Sequence, residues 1–187
     1  DTGSRGLGDV YKRQLLIVAG AGSGKTKVLT SRIAHIIKKN KAFPNQILAV
    51  TFTNKAAKEM QLRVSKLLRK DATGLPWLGT FHSISAKLLR KHADAVGLKS
   101  NFSIIDQDDQ VRLIKNICKA ENVDIKKISP KFILAIIDKW KNKGFYPQDV
   151  ILKRKDPLEK NFLSIYKIYQ EKLVNLNSVD FSDLILH

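Results

Sequence analysis

The chain has 187 residues, 43% hydrophobic and 27% charged, enough for one globular domain or for a domain carrying an inserted subdomain. Lys and Arg number 34 against 17 Asp and Glu; the formal net charge of +17 points to a polyanionic partner, most simply nucleic acid, with a solvated lysine-rich surface as the plainer alternative. A single cysteine, Cys118, excludes an internal disulfide and fits a reducing, cytoplasmic compartment, while no apolar run approaches the ~18 residues of a membrane span and no signal peptide is visible.

Residues 1–14 read D-T-G-S-R-G-L-G-D-V-Y-K-R-Q, with three glycines, mixed charge and no periodicity. They are expected to be a tail or scar outside the fold. The chemistry starts at L-L-I-V-A-G-A-G-S-G-K-T, Leu15 to Thr26. Leu15–Val18 predicts a buried strand, Ala19-Gly20-Ala21-Gly22-Ser23-Gly24 a turn, and Lys25-Thr26 a helix start, which is the order a phosphate-binding loop requires. Consecutive backbone N–H groups must converge on phosphate oxygens, in dihedrals that small residues tolerate. Lys25 supplies a mobile cation for the β- and γ-phosphates, and the Thr26 hydroxyl is placed for Mg²⁺. The strict pattern begins with glycine, where this chain has Ala19.

After the loop, Val28, Leu29, Ile33, Ile36 and Ile37 mark one helix face, ending near Asn40. Ile47 to Phe52 predicts a short strand, and Asn54 to Lys70 a helix with Ala57, Met60, Val64 and Leu67 inward. Trp77 to Phe81 predicts a further strand after Gly74 and Pro76, followed by a helix over His82 to Val96. Alternation of this kind predicts a parallel sheet with crossover helices, ligands lying at the carboxyl ends of the strands. Past Gly97 the pattern is helical. Asp106 caps a helix bearing Val111, Ile114, Ile117 and Cys118. Ser129-Pro130 opens another, with Ile133, Ile136, Ile137 and Trp140 inward and Gly144 at its end. Asp156-Pro157 opens a third, with Phe162, Tyr166, Tyr169 and Leu173 at helical spacing. Their period of 3.6 reads these aromatics as core rather than as base-stacking groups.

Two strand ends carry polar clusters. At Thr51-Phe52-Thr53-Asn54, hydroxyls, an amide and helical N–H groups suit phosphates of a nucleic acid strand, and Phe52 suits a base. An ordinary capped helix after a core strand accounts for these residues equally well. Thr80-Phe81-His82 repeats the arrangement at the next strand end.

Four collinear blocks, A-G-A-G-S-G-K-T at Ala19–Thr26, V-T-F-T-N-K-A-A-K-E-M at Val50–Met60, G-T-F-H-S at Gly79–Ser83 and V-D-F-S-D-L at Val179–Leu184, resemble the UvrD/Rep/PcrA-type superfamily 1 DNA helicases over about Leu15 to His187. The resemblance implies a P-loop, RecA-like α/β motor domain over 15–97, an inserted all-helical subdomain over 98–177 that faces the duplex, and a return to the motor at 178–187. It implies ATP and Mg²⁺ at Ala19, Gly20, Ala21, Gly22, Ser23, Gly24, Lys25 and Thr26, with Lys25 and Thr26 catalytic and Thr26 on the metal. Lys27 and Arg63 match positions that approach the nucleotide. Thr51, Phe52, Thr53, Asn54, Thr80, Phe81 and His82 match contacts to single-stranded DNA. The parent is then expected to translocate 3′–5′ and to open single-strand/duplex junctions.

The family's adenine-reading glutamine motif does not match residues 1–14, and Gln14 abuts the strand too closely to serve. Its Asp-Glu pair, which holds Mg²⁺ and activates water, is expected beyond His187, as is the second motor domain. The sheet is therefore expected to be incomplete and the chain to have little ATPase of its own. Asp180 and Asp183 are read as helix-start and packing residues rather than metal ligands. A kinase or transport ATPase explains Ala19–Thr26 but not the other clusters. A DNA-binding module explains the charge alone, and a RecB-type helicase–nuclease subunit shares the resemblance.

Overall fold

A computed structural model describes residues 16–18, 20, 22–68, 75–125, 127–152 and 157–187. The chain divides into two units, 1–79 and 80–187.

In the first unit, helix α1 (Lys25–Lys38) starts at Gly24 and ends at Lys39, whose N–H donates to the His35 carbonyl while the Asn40 N–H donates to that of Ile37. It packs on helix α2 (Asn54–Leu68), which also packs on strand β1 (Ala49–Thr51). Ile33, Ala49, Ala57, Met60, Val64, Leu75 and Leu78 form the core between them. Strand β1 pairs with β2 (Leu78–Thr80), whose last residue is the first of the second unit.

The buried face of α1 differs from the predicted one. Thr30, Ile33 and Ala34 are buried, whereas Val28 and Leu29 are exposed. The Thr30 hydroxyl reaches back to the carbonyls of Thr26 and Lys27, both at 3.0 Å, so it enters the interior with its polarity satisfied. On α2 Leu67 is likewise exposed, beyond the reach of the small core. No strand forms over Leu16–Val18, and Leu16 and Val18 are each 86% exposed. A strand needs a hydrogen-bonding neighbour and an apolar cover. Among the described residues β1 and β2 pair with each other alone, and Leu16–Val18 joins neither. Leu15 lies outside the described residues.

In the second unit, helix α3 (Phe81–Lys91) runs into a 3-10 turn, Ala93–Val96, that Gly97 closes at φ +75°. The stretch past Gly97 is not helical throughout: strand β3 (Ser103–Ile104) pairs in parallel with β4 (Ser178–Val179), Ser103 opposite Ser178 and Ile104 opposite Val179, because the returning chain supplies the carbonyls of Asn177 and Val179 to the Ser103 and Ile105 N–H groups. Between these two strands the chain makes a helical excursion: α4 (Gln107–Ala120), α5 (Pro130–Lys141) and α6 (Pro157–Asn175). The caps are those the sequence predicts. Asp106 accepts from the Asp109 N–H at 2.9 Å, and Ser129 from the Phe132 N–H at 3.2 Å, with Pro130 at the first helical position. Gly144 ends the α5 turn at φ +76°. Asp156 lies outside the described residues.

The core of this excursion gathers Ile114, Ile117 and Cys118 of α4, Ile133, Leu134 and Ile137 of α5, and Phe162, Ile165, Tyr166, Tyr169 and Leu173 of α6. Each fully buried aliphatic or aromatic side chain contributes about 1.5–3 kcal/mol by removal from water. The aromatics are interior groups: the Tyr166 ring stacks on Trp140 at 5.9 Å, and its hydroxyl donates to the Phe145 carbonyl at 2.9 Å. Cys118 is wholly buried, and that burial pushes its thiol pKa up. A second cluster, Ala86, Leu89, Ala93, Leu98, Phe102, Val179 and Leu184, joins α3 to β4 and to the short helix α7 (Asp183–Leu186). Among the described residues no helix is long and apolar enough to cross a membrane.

Candidate nucleotide and nucleic-acid sites

The glycine loop ends in two left-handed residues, Gly22 at φ +78° and Gly24 at φ +89°, ψ 20°. A side chain at either would be strained, so the backbone itself dictates glycine there. Gly20 differs, since its φ is unexceptional and a Cβ would meet nothing within 4 Å. The Ser23 hydroxyl donates to the Gly20 carbonyl at 2.6 Å and closes the turn. Ala19 and Ala21 lie outside the described residues.

Gly24 is the N-cap of α1 and offers no side-chain cap. The first turn of α1 contains no acidic residue and begins Lys25-Thr26-Lys27, all exposed. Cations at the positive end of a helix dipole are unfavourable by themselves, and a helix N-terminus of this composition suits an anion. Arg63 stands on α2 in an ion pair with Glu59, one turn away and partly exposed. Such an exposed i,i+4 pair is worth about 0.3–0.5 kcal/mol, little enough to be exchanged for a stronger anion.

At the end of β1, Thr53 caps α2: its hydroxyl accepts from the Ala56 N–H at 3.2 Å. That bond uses a lone pair of the hydroxyl, not its proton. The Thr51 hydroxyl donates to the Thr53 carbonyl at 3.1 Å, which folds the Thr51–Asn54 corner tightly. Phe52 projects from this corner with 91% of its surface exposed, and Asn54 is exposed beside it. Capping accounts for Thr53; it does not account for an aromatic ring left this exposed at Phe52.

At the start of α3 the same device recurs within the second unit. Thr80 is the N-cap and accepts from the Ser83 N–H at 3.3 Å, while the Ser83 hydroxyl donates to the Thr80 carbonyl at 3.0 Å. Thr80 is buried; Phe81 and His82 are exposed. The His82 ring meets Phe181 edge-on, with centroids 6.0 Å apart and planes at 72°.

Asp180 and Asp183, which flank Phe181 and were read as helix-start and packing residues, hold a partner the sequence reading did not single out, Lys141. The Lys141 ammonium is wholly buried, 2.6 Å from Asp180 Oδ2 and 2.7 Å from Asp183 Oδ1. Asp180 and Asp183 also cap each other: the Asp183 N–H donates to Asp180 Oδ1 at 2.8 Å and the Asp180 N–H to Asp183 Oδ2 at 3.2 Å. The Tyr169 hydroxyl donates to Asp180 and the Gln170 amide to Asp183. One signal was available in the sequence. Lys141 continues the inward row of Leu134 and Ile137, a lysine where the helix calls for an apolar residue.

His187 closes this cluster, its Nδ1 3.0 Å from the Tyr146 hydroxyl. Burial holds its pKa below the ordinary 6.5, with the Asp183 carboxylate opposing and the Lys141 charge adding to the shift. Between the depressed folded value and 6.5 the unfolded chain binds a proton that the folded chain does not, so stability falls as pH drops through that window. Asp138, whose carboxyl burial pushes above the usual 3.8, works in the opposite sense, so the comparison must be with a variant. Urea unfolding of His187→Phe between about pH 7.5 and about pH 5.5 should lose this part of the wild-type decline. Parallel profiles for the two proteins would refute it.

The family profile described as the UvrD/REP helicase N-terminal domain matches residues 7–187. The chain is 48% identical over 176 residues to a probable DNA helicase II homolog of Rickettsia conorii, covering 92% of this chain and 26% of that protein. It is 44% identical over 172 residues to the ATP-dependent DNA helicase PcrA of Staphylococcus epidermidis, covering 92% and 24%. A probable DNA helicase II homolog of Mycoplasma capricolum is 47% identical over 172 residues, covering 90% and 24%. The chain thus spans about a quarter of the length of the curated relatives it matches.

Proposed function

The chain belongs to the UvrD/REP helicase N-terminal domain family, and on that premise we propose that it carries the ATP-phosphate site and part of the single-strand site of an ATP-dependent DNA helicase. The observation that carries the nucleotide half is the start of α1: two left-handed glycines, no side-chain cap, and Lys25 and Thr26 exposed beside it. The open space over Gly20 suits a phosphate approaching the backbone. In this reading Gly20 to Gly24 cradle the phosphates, Lys25 and Lys27 neutralise them, and the Thr26 hydroxyl holds Mg²⁺. Bound Mg²⁺–ATP would supply the phosphoryl group and a counter-charge. The chain's own residues orient the nucleotide and lower its charge, which is most of what phosphoryl transfer asks of a protein. Arg63 reaches the nucleotide only by giving up Glu59. The excursion between β3 and β4 supports the division into a RecA-like motor part over 15–97, an inserted helical subdomain over 98–177 and a return at 178–187.

For the nucleic acid half, Thr51, Phe52, Thr53 and Asn54 at one strand end, and Thr80, Phe81 and His82 at the next, contact single-stranded DNA. Phe52 stacks and the hydroxyls and amide take phosphates. The 3′–5′ polarity, action at single-strand/duplex junctions and cytoplasmic location follow from the resemblance and the reducing-compartment composition. The names of the relatives, DNA helicase II and PcrA, favour this over another P-loop enzyme. A labelled oligonucleotide titrated over a series of NaCl concentrations tests the DNA half. Log affinity should fall linearly with log salt, with a slope of about −0.7 per phosphate neutralised. A flat response would mean that the charge of +17 is only a solvated surface.

A further inference from the structure

We infer that Lys141 is a positioning residue for the strand-binding edge at His82, acting from the interior through the Asp180–Asp183 turn and Phe181. This rests on the reading of His82 as a DNA contact. A lysine ammonium taken wholly out of water is tolerated only when its charge is met closely. Here two carboxylates meet it at 2.6 and 2.7 Å, and its remaining side faces the rings of Tyr169 at 5.0 Å and Tyr166 at 5.8 Å.

The carboxylates are in turn fully engaged. Asp180 uses Oδ2 for Lys141 and the Tyr169 hydroxyl and Oδ1 for the Asp183 N–H. Asp183 uses Oδ1 for Lys141 and the Gln170 amide and Oδ2 for the Asp180 N–H. The turn 180–183 therefore cannot tilt without breaking a charge-assisted bond. Phe181 sits inside it. That ring is 51% exposed, and it holds the His82 ring edge-on at 6.0 Å and 72°.

Stability alone does not call for ions here, because a well-packed apolar group generally serves as well as a buried pair. What the ions add is direction. They set the height and angle of an exposed ring beside a residue that meets DNA. A buried ammonium has no route to a phosphate, so Lys141 acts by placement and not by charge toward the ligand.

The test is the affinity of the chain for a fluorescein-labelled oligothymidylate across an NaCl series. The variants are Lys141→Met, the charge-balanced Lys141→Met/Asp183→Asn, Phe181→Leu and His82→Ala, with each of the first three repeated in the His82→Ala background. Circular dichroism melts establish that each is folded. Lys141→Met and the balanced pair are expected to weaken binding about tenfold, in the range of one lost base–aromatic contact. The salt slope should stay at the wild-type value, whereas loss of a direct phosphate contact lowers it by about 0.7. Phe181→Leu, which leaves the ions intact, should reproduce the loss. In the His82→Ala background all three effects should shrink to about twofold or less, since the route ends at that ring. The inference is overturned if the folded balanced pair or Phe181→Leu binds as tightly as wild type. It is equally overturned if the losses persist undiminished without His82, the signature of a general structural role. If the His82→Ala change alone leaves affinity intact, the strand-edge reading fails and the inference goes with it.

Discussion

Replacing Lys25 by alanine should weaken Mg²⁺–ATP binding roughly 10- to 150-fold, from about 1.5–3 kcal/mol for a hydrogen bond to a charged group at 1.4 kcal/mol per decade. Affinity for single-stranded oligonucleotide should stay within about twofold, because in the proposed reading Lys25 serves the nucleotide and the Thr51–Asn54 and Thr80–His82 corners serve the DNA. The fold should not suffer. Lys25 is the first residue of α1 and is exposed, alanine is the better helix former, and a cation leaves the positive end of the dipole. A labelled nucleotide titrated into wild type and variant measures the first quantity, and a labelled oligonucleotide the second. Equal nucleotide affinity in both proteins would refute the phosphate-cradle reading. A parallel loss of DNA affinity would show instead that Lys25 belongs to a general basic surface.

The second large effect is on stability. Tyr166→Ala should destabilise the second unit by about 3–5 kcal/mol, the cost of emptying an aromatic site in a packed core. The ring stacks on Trp140 at 5.9 Å and lies among Ile137, Phe162 and Tyr169. Its hydroxyl serves the Phe145 carbonyl, which the substitution leaves without that partner. Tyr166→Phe separates the two parts and should cost about 1 kcal/mol, for the hydrogen bond alone. Urea unfolding reads both. Under conditions where the alanine variant remains folded, its affinity for oligonucleotide should match wild type. A variant of native stability with impaired DNA binding would place this aromatic row on a nucleic acid surface and not in the core.

Legibility of the sequence followed the range of the forces involved. Caps are local, and so Asp106, Ser129-Pro130 and Gly144 announce the helices they bound. The row Phe162, Tyr166, Tyr169 and Leu173 is one helix face, readable from its period, and it is buried as expected. The Leu15–Val18 run failed as a strand prediction at Leu16–Val18, because apolar character fixes a preference for cover but not whether a neighbouring strand is there to supply it. Val28 and Leu29 failed in a related way: α1 packs on α2 and buries Thr30 instead. In the site, glycine and threonine positions were legible because backbone conformation and capping are properties of short segments. The inward place of Lys141 was legible from its row but its partners were not, since they stand 39 and 42 residues away and only the fold brings three charges to one point.

The interior thiol of Cys118 has a practical side. It is the chain's one cysteine, and burial makes it inaccessible and disfavours its thiolate. The native surface is thus silent toward maleimides, and a cysteine introduced at an exposed site takes a dye or cross-linker without first stripping the background. The same thiol, sealed between α4 and its neighbours, becomes reactive only when the helical core opens. Its labelling rate is therefore a built-in clock for that opening, readable in the unmodified protein.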